Sequence, residues 1–190
     1  MDRLIIDKKI FDFRKDDKMR ILIIIAQKLF RDEELDIPKR LFEANGIKVD
    51  VASVTTEIAV GKLGMQVNPD LSFKDAKSDD YDAIMIVGGP GAPELKNYPE
   101  VLNLIKEFDK KQKLVTAICI APTILAKAGI LKGKKATVFP TGADELKMAS
   151  AIYTGDHVTV DGRIITGDGP ESAKIFAEKV IERLNIAFNT

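Results

Sequence analysis

Leu114-Val115-Thr116-Ala117-Ile118-Cys119-Ile120-Ala121-Pro122-Thr123 is the stretch that decides the fold. Its first half is an apolar, β-branched-rich run without polar alternation, as in a strand covered on both faces of a parallel sheet. Pro122 suits the first position of a helix, where its missing N–H would have had no helical partner, and Ala128-Gly129 reads as the end of that helix. Cys119 therefore stands at a strand-to-helix break. The short side chains two residues to either side, Ala117 and Ala121, let the backbone fold back sharply, the spacing of a nucleophile elbow. A thiol at a helix start faces unpaired amides and the positive end of the helix dipole. Both favour the thiolate, the form that attacks electrophiles or is oxidised. The competing reading is a buried cysteine acting as a small hydrophobe.

Similar runs lie upstream. Ile21-Leu22-Ile23-Ile24-Ile25 reads as the first buried strand, Ile47 to Ser53 as the second, and Tyr81 to Val87 as the third. The third ends in Gly88-Gly89-Pro90-Gly91, where small residues let backbone amides approach a ligand closely. Between the first two, residues 27–37 read as a loop, and Pro38 opens a helix through Ala44 that Asn45-Gly46 closes. A helix from Pro99 to about Gln112 buries Val101, Leu102, Leu104, Ile105 and Phe108. Past the cysteine come a short strand at 136–139, a helix near Ala143 to Ala149, and a hairpin over 158–166 with Asp161-Gly162 at its tip. The last helix, Glu171 to Leu184 after Pro170, keeps Ala173, Phe176, Ala177, Val180, Ile181 and Leu184 at helical spacing. Residues 54–72, with Gly61, Gly64 and Pro69, read as a loop or a short hairpin on the sheet's edge.

Strands alternating with helices at this spacing specify an α/β fold: a flavodoxin-like, doubly wound, mainly parallel sheet sandwiched by helices. With strand order 2-1-3-4, the loops leaving strands one, three and four lie side by side at the carboxyl edge. Those loops carry Glu33 and Glu34, Gly88 and Gly89, and Cys119. The amides of Gly89 and Ile120 can then form an oxyanion hole, and the carboxyl of Glu34 or Glu33 can hydrogen-bond the sulfur and tune its ionisation. An acidic pair in a loop is otherwise a solvated surface. His157, in Gly155-Asp156-His157-Val158 at the mouth of the hairpin, reads as an exposed turn histidine rather than a base for the thiol.

With 190 residues, 29 basic and 29 acidic, the chain suits one well-buried core, expected over 19–190 behind an extension at 1–18. That extension would add an edge strand or an oligomer contact, or else precede a natural start at Met19. Zero net charge without a basic stripe excludes nucleic acid as an expected partner and leaves small molecules or proteins. One cysteine excludes an internal disulfide and a cysteine-rich zinc site, and one histidine excludes multi-histidine ligation, so no metal or cofactor is expected. With neither a secretory signal nor an apolar run of about 18 residues, a cytoplasmic protein without membrane partners is expected.

The chain resembles the DJ-1/PfpI family over nearly all of Met19 to Leu184. The resemblance rests on Glu33-Glu34-Leu35-Asp36-Ile37-Pro38, residues 46–53, Tyr81 through Gly89, Ala117-Ile118-Cys119-Ile120-Ala121-Pro122, residues 128–135, and Val160 through Thr166 with Gly169-Pro170. It implies a homodimer or larger assembly and a reactive elbow cysteine, puts the family's acid on Glu34 rather than Glu33, and puts the oxyanion amides on Gly89 and Ile120. Members described as intracellular proteases carry histidine directly after the nucleophile, where Ile120 stands, and a histidine of DJ-1-like members falls on Phe139. Glu94 matches an acid that protease-like members lend to a neighbouring subunit's histidine. The resemblance thus implies a glyoxalase- or deglycase-like enzyme acting on small reactive carbonyls or their adducts. Its alternatives are a protective or redox-sensing protein that oxidises at Cys119, and an intracellular cysteine peptidase, disfavoured for want of the histidine.

Overall fold

A computed structural model describes residues 18–188. Apart from Lys18, the extension expected over 1–18 lies outside the described residues. In chain order the strands are β1 (Arg20–Ile24), β2 (Lys28–Phe30), β3 (Lys48–Ser53), β4 (Ala59–Gly61), β5 (Gln66–Val67), β6 (Leu71–Ser72), β7 (Ala83–Ile86), β8 (Leu114–Ile118), β9 (Lys135–Ala136), β10 (Ile152–Tyr153), β11 (Val158–Asp161) and β12 (Ile164–Gly167). The helices are α1 (Asp32–Ala44), α2 (Pro99–Lys110), α3 (Pro122–Ala128), α4 (Ala143–Met148) and α5 (Ala173–Phe188).

The main sheet has seven strands in the order β11-β12-β8-β7-β1-β3-β6, all paired in parallel except β11 with β12. Its inner run β3-β1-β7-β8 is the 2-1-3-4 order of a flavodoxin-like sheet, so the fold expected from the sequence is the fold observed. Successive side chains of a strand point to opposite faces, and β1 feeds two cores accordingly. Ile21 and Ile23 pack with Leu35 and Phe42 of α1 and Phe176 and Val180 of α5. Leu22 and Ile24 pack on the other face with Ile105 and Phe108 of α2 and Ile124 and Leu125 of α3. All four β1 residues have no exposed surface, and burying each stabilises the fold by about 1.5–3 kcal/mol.

Several elements depart from the sequence expectation. Helix α1 starts at Asp32, not Pro38, because Asp32, Glu33 and Glu34 in its first turn complement the helix dipole. Pro38 sits inside the helix and offers no N–H to the Glu34 carbonyl four residues earlier. The loop expected over 27–37 is instead β2 followed directly by α1. Strand β2 joins the β4–β5 hairpin in a separate three-stranded sheet. The strand expected at 136–139 shortens to β9, which pairs with β10. Asp161 pairs with Ile164, so the hairpin tip is Gly162-Arg163. Residues 170–172 form a 3-10 turn, and α5 proper begins at Ala173.

Candidate active site

Cys119 leaves β8 with φ at +62°, a left-handed conformation that costs a non-glycine residue about 1–2 kcal/mol. Two backbone hydrogen bonds hold it there: its N–H donates to the Gly167 carbonyl at 2.9 Å, and its carbonyl accepts from the Phe139 N–H at 2.7 Å. Ala117 and Ala121 are fully buried beside it, as a sharp turn demands. The sulfur-bearing residue is 9% exposed, buried but reachable.

The exits of β1 and β7 close around this elbow. The Arg31 N–H donates to the Gly88 carbonyl at 3.0 Å, and the Gly91 N–H to the Leu29 carbonyl at 3.0 Å. A Cβ on Gly88 would stand 2.6 Å from the Cys119 Cβ and 2.7 Å from Glu34 Oε2, so only glycine lets the three groups meet. Gly89 has φ at +100°, and a Cβ there would lie 2.4 Å from the Arg31 nitrogen. The N–H groups of Gly89 and Ile120 donate to no backbone carbonyl among the described residues. They act on the Cys119 sulfur instead and favour its anion.

Glu34 is fully buried. Its Oε2 accepts from the Gly88 N–H at 3.0 Å, while Oε1 has no hydrogen-bond partner among the described residues. The Cys119 thiol lies beside this carboxyl. Burial pushes Glu34 up to about 7, against the opposing pull of the thiol and the Gly88 amide. Cys119 is pushed up to about 12, first by burial and then by the charge of Glu34; the amides of Gly89 and Ile120 pull it down without prevailing. The thiolate-favouring environment expected from the helix start is therefore outweighed by depth and by the neighbouring acid. Two adjacent buried acids cannot both ionise readily, so the pair titrates jointly and keeps a proton through the neutral range. The thiolate is then reached by moving that proton onto Glu34.

A cleft of about 270 Å³ opens at the sulfur, lined by Arg31, Glu34, Lys62, Gly89, Cys119 and Ile120. Phe139 and three prolines, Pro90, Pro93 and Pro170, complete its apolar walls. The structure thus brings together Cys119, Glu34, Gly89 and Ile120, as the sequence suggests, and separates them from the other candidates. Glu33 turns away to pair with Arg31 at 2.8 Å. Glu94 is exposed, with Tyr98 Oη donating to it at 3.4 Å. His157 is largely exposed and bonds Asp168 through Nδ1 at 2.8 Å, and it does not line the cleft.

Sequence reasoning missed Asp32 and Lys62. Buried Asp32 accepts from the Leu63 and Met65 N–H groups at 2.9 and 2.7 Å, which fixes the β4–β5 turn over the site and carries Lys62 to the cleft. Acidic residues opening a helix are a legible signal, but their partners on a distant hairpin are not. Among the described residues, no cluster of three or more His, Cys, Asp or Glu could hold a metal ion, and no helix is long and apolar enough to cross a membrane.

The chain is similar to known proteins over most of its length. A glutathione-independent glyoxalase of Caenorhabditis elegans is 32% identical over 163 residues, 86% of this chain and 87% of that one. A deglycase of Pyrococcus abyssi is 32% identical over 152 residues, 80% of this chain and 91% of that one. The crystal structure of a ThiJ/PfpI domain protein from Brachyspira murdochii superposes with a TM-score of 0.86 at 34% identity, covering 88% of this chain and 98% of that one. The model of the DJ-1/PfpI family matches residues 19–183, a span that takes in every strand of the main sheet and every side chain that meets at the elbow; the chain belongs to the DJ-1/PfpI family.

Proposed function

We propose that the protein is a cysteine-dependent enzyme of the glyoxalase or deglycase kind, acting on small reactive carbonyls or their adducts. The observation that carries this reading is the meeting of Cys119, the buried carboxyl of Glu34 and two amides without a backbone acceptor in one small cleft. The names of the similar glyoxalase and deglycase support it. As Cys119 Sγ attacks an aldehyde carbon, an S–C bond forms, the carbonyl π pair moves to oxygen, and the thiol proton passes to Glu34. The Gly89 and Ile120 amides receive the oxyanion, which takes the proton back to give a hemithioacetal. With methylglyoxal, Glu34 can carry the aldehydic hydrogen as a proton to the adjacent carbon while the hemithioacetal hydroxyl proton passes to the former ketone oxygen, which leaves a C=O at the sulfur-bearing carbon. Water then cleaves the resulting thioester to lactate and the free thiol.

A peptidase reading is disfavoured by the walls themselves. Ile120 and Phe139 stand where family members carry histidine, both line the cleft, and neither can take a proton. Methylglyoxal consumption with lactate formation tests the proposal. Turnover should vanish in Cys119→Ala and fall about 100-fold or more in Glu34→Gln, the usual scale for a lost general acid–base. Turnover that persists unchanged in Cys119→Ala would overturn it.

A further inference from the structure

The walls of the cleft are apolar, yet two cationic side chains reach it, Arg31 and Lys62. Arg31 uses Nε and Nη2 to bind Glu33, at 2.8 and 3.0 Å, which leaves Nη1 with no partner among the described residues. Lys62 forms no ion pair among the described residues, although other lysines such as Lys39 and Lys96 do. Its backbone is nevertheless firmly placed. The Lys62 N–H donates to the Phe30 carbonyl at 2.8 Å, Gly61 N–H to Met65 at 2.8 Å, and Leu63 N–H to buried Asp32 at 2.9 Å. A lysine on a turn this constrained is exposed to solvent, yet it holds a positive charge with no ion-pair partner among the described residues at the mouth of an apolar cleft, whose walls focus its field inward. Glu34, the carboxyl inside the cleft, accepts from Gly88 and acts on Arg31, but it forms no ion pair with Lys62 among the described residues.

We infer that the cleft selects carbonyl compounds bearing a carboxylate over neutral ones of the same size, with Lys62 and Arg31 reading the negative charge beside Cys119. Lys62 is the principal specificity determinant, because Arg31 is already half satisfied by Glu33. The inference rests on Cys119 being the reacting group and goes further by naming the charge of what it meets.

Iodoacetate and iodoacetamide test it on the full chain. Both alkylate the same thiolate with loss of iodide, and they differ in one carboxylate, so the ratio of their rate constants cancels the ionised fraction of the thiol. At low salt the ratio of iodoacetate to iodoacetamide should exceed that of N-acetylcysteine by about tenfold. It should fall about fivefold in Lys62→Met and further in Lys62→Glu, and be kept in Lys62→Arg and in Lys174→Met on the exposed side of α5. Raising salt to about 0.5 M should bring the wild-type ratio toward that of Lys62→Met. A wild-type ratio no higher than that of N-acetylcysteine overturns the inference, as does one unchanged in both Lys62→Met and Lys62→Glu. A thiol inert to both reagents overturns it together with the enzyme reading, whereas absent methylglyoxal turnover with the ratio intact sinks only the latter.

Discussion

Cys119 and Glu34 share a burial that neither side chain would choose alone. Burial raises both, and Glu34 raises Cys119 further, so replacing the acid acts on the thiol with a definite sign. Glu34 raises the Cys119 pKa both by its charge and by its hydrogen bond, and Glu34→Gln removes the charge. The thiol pKa read from pH-dependent alkylation should therefore fall in Glu34→Gln. A rise would mean that the protonated acid stabilises the thiolate better than an amide does. At this scale the sequence disclosed much. Flanking alanines and a glycine-rich neighbouring exit pointed to Cys119 and Gly89 and left Glu33 and Glu34 open, and only the family resemblance favoured Glu34. It did not disclose the direction of the thiol shift, because local pattern shows a helix start but not how deep that start lies.

Elements were legible in proportion to their length. The five-residue runs at β1 and β8 and the amphipathic α2 and α5 announce themselves through apolar periodicity. Strands of two or three residues, such as β2, β4 and β5, have no period to read, so the small sheet beside the site stayed hidden in a loop. The proline rule misplaced α1, since Pro38 is tolerated inside a helix whose start the acidic turn had already set. Asp32 joins that turn to the small sheet. Asp32→Ala strips acceptors from two backbone amides and should cost about 1–3 kcal/mol, the range for leaving buried donors unsatisfied. Hydrogen exchange should show the Leu63 and Met65 amides opening far faster than those of β1, which stay protected. Uniform exchange across both sheets would refute the staple.

Over the whole molecule, the buried acid makes stability depend on pH. The folded-state pKa of Glu34, about 7, lies above its unfolded value near 4.5. The native state thus binds the extra proton between those values, and unfolding free energy falls as pH rises through that window. The loss amounts to a few kcal/mol at most. Denaturant unfolding at pH 5 and pH 8 should show wild type losing stability toward pH 8, and Glu34→Gln losing less; equal slopes would contradict it. The frame that imposes this burden was plain from sequence, because strands covered on both faces must be apolar throughout, whereas the charges around the cleft arrive from segments far apart in the chain. Cys119 is fastened by the carbonyl of Gly167 and the N–H of Phe139, main-chain atoms that every residue at those positions except proline supplies. Those two bonds ask nothing of the Phe139 side chain, so the cleft wall there can be recast in size and polarity while the turn that carries the sulfur keeps its fastening.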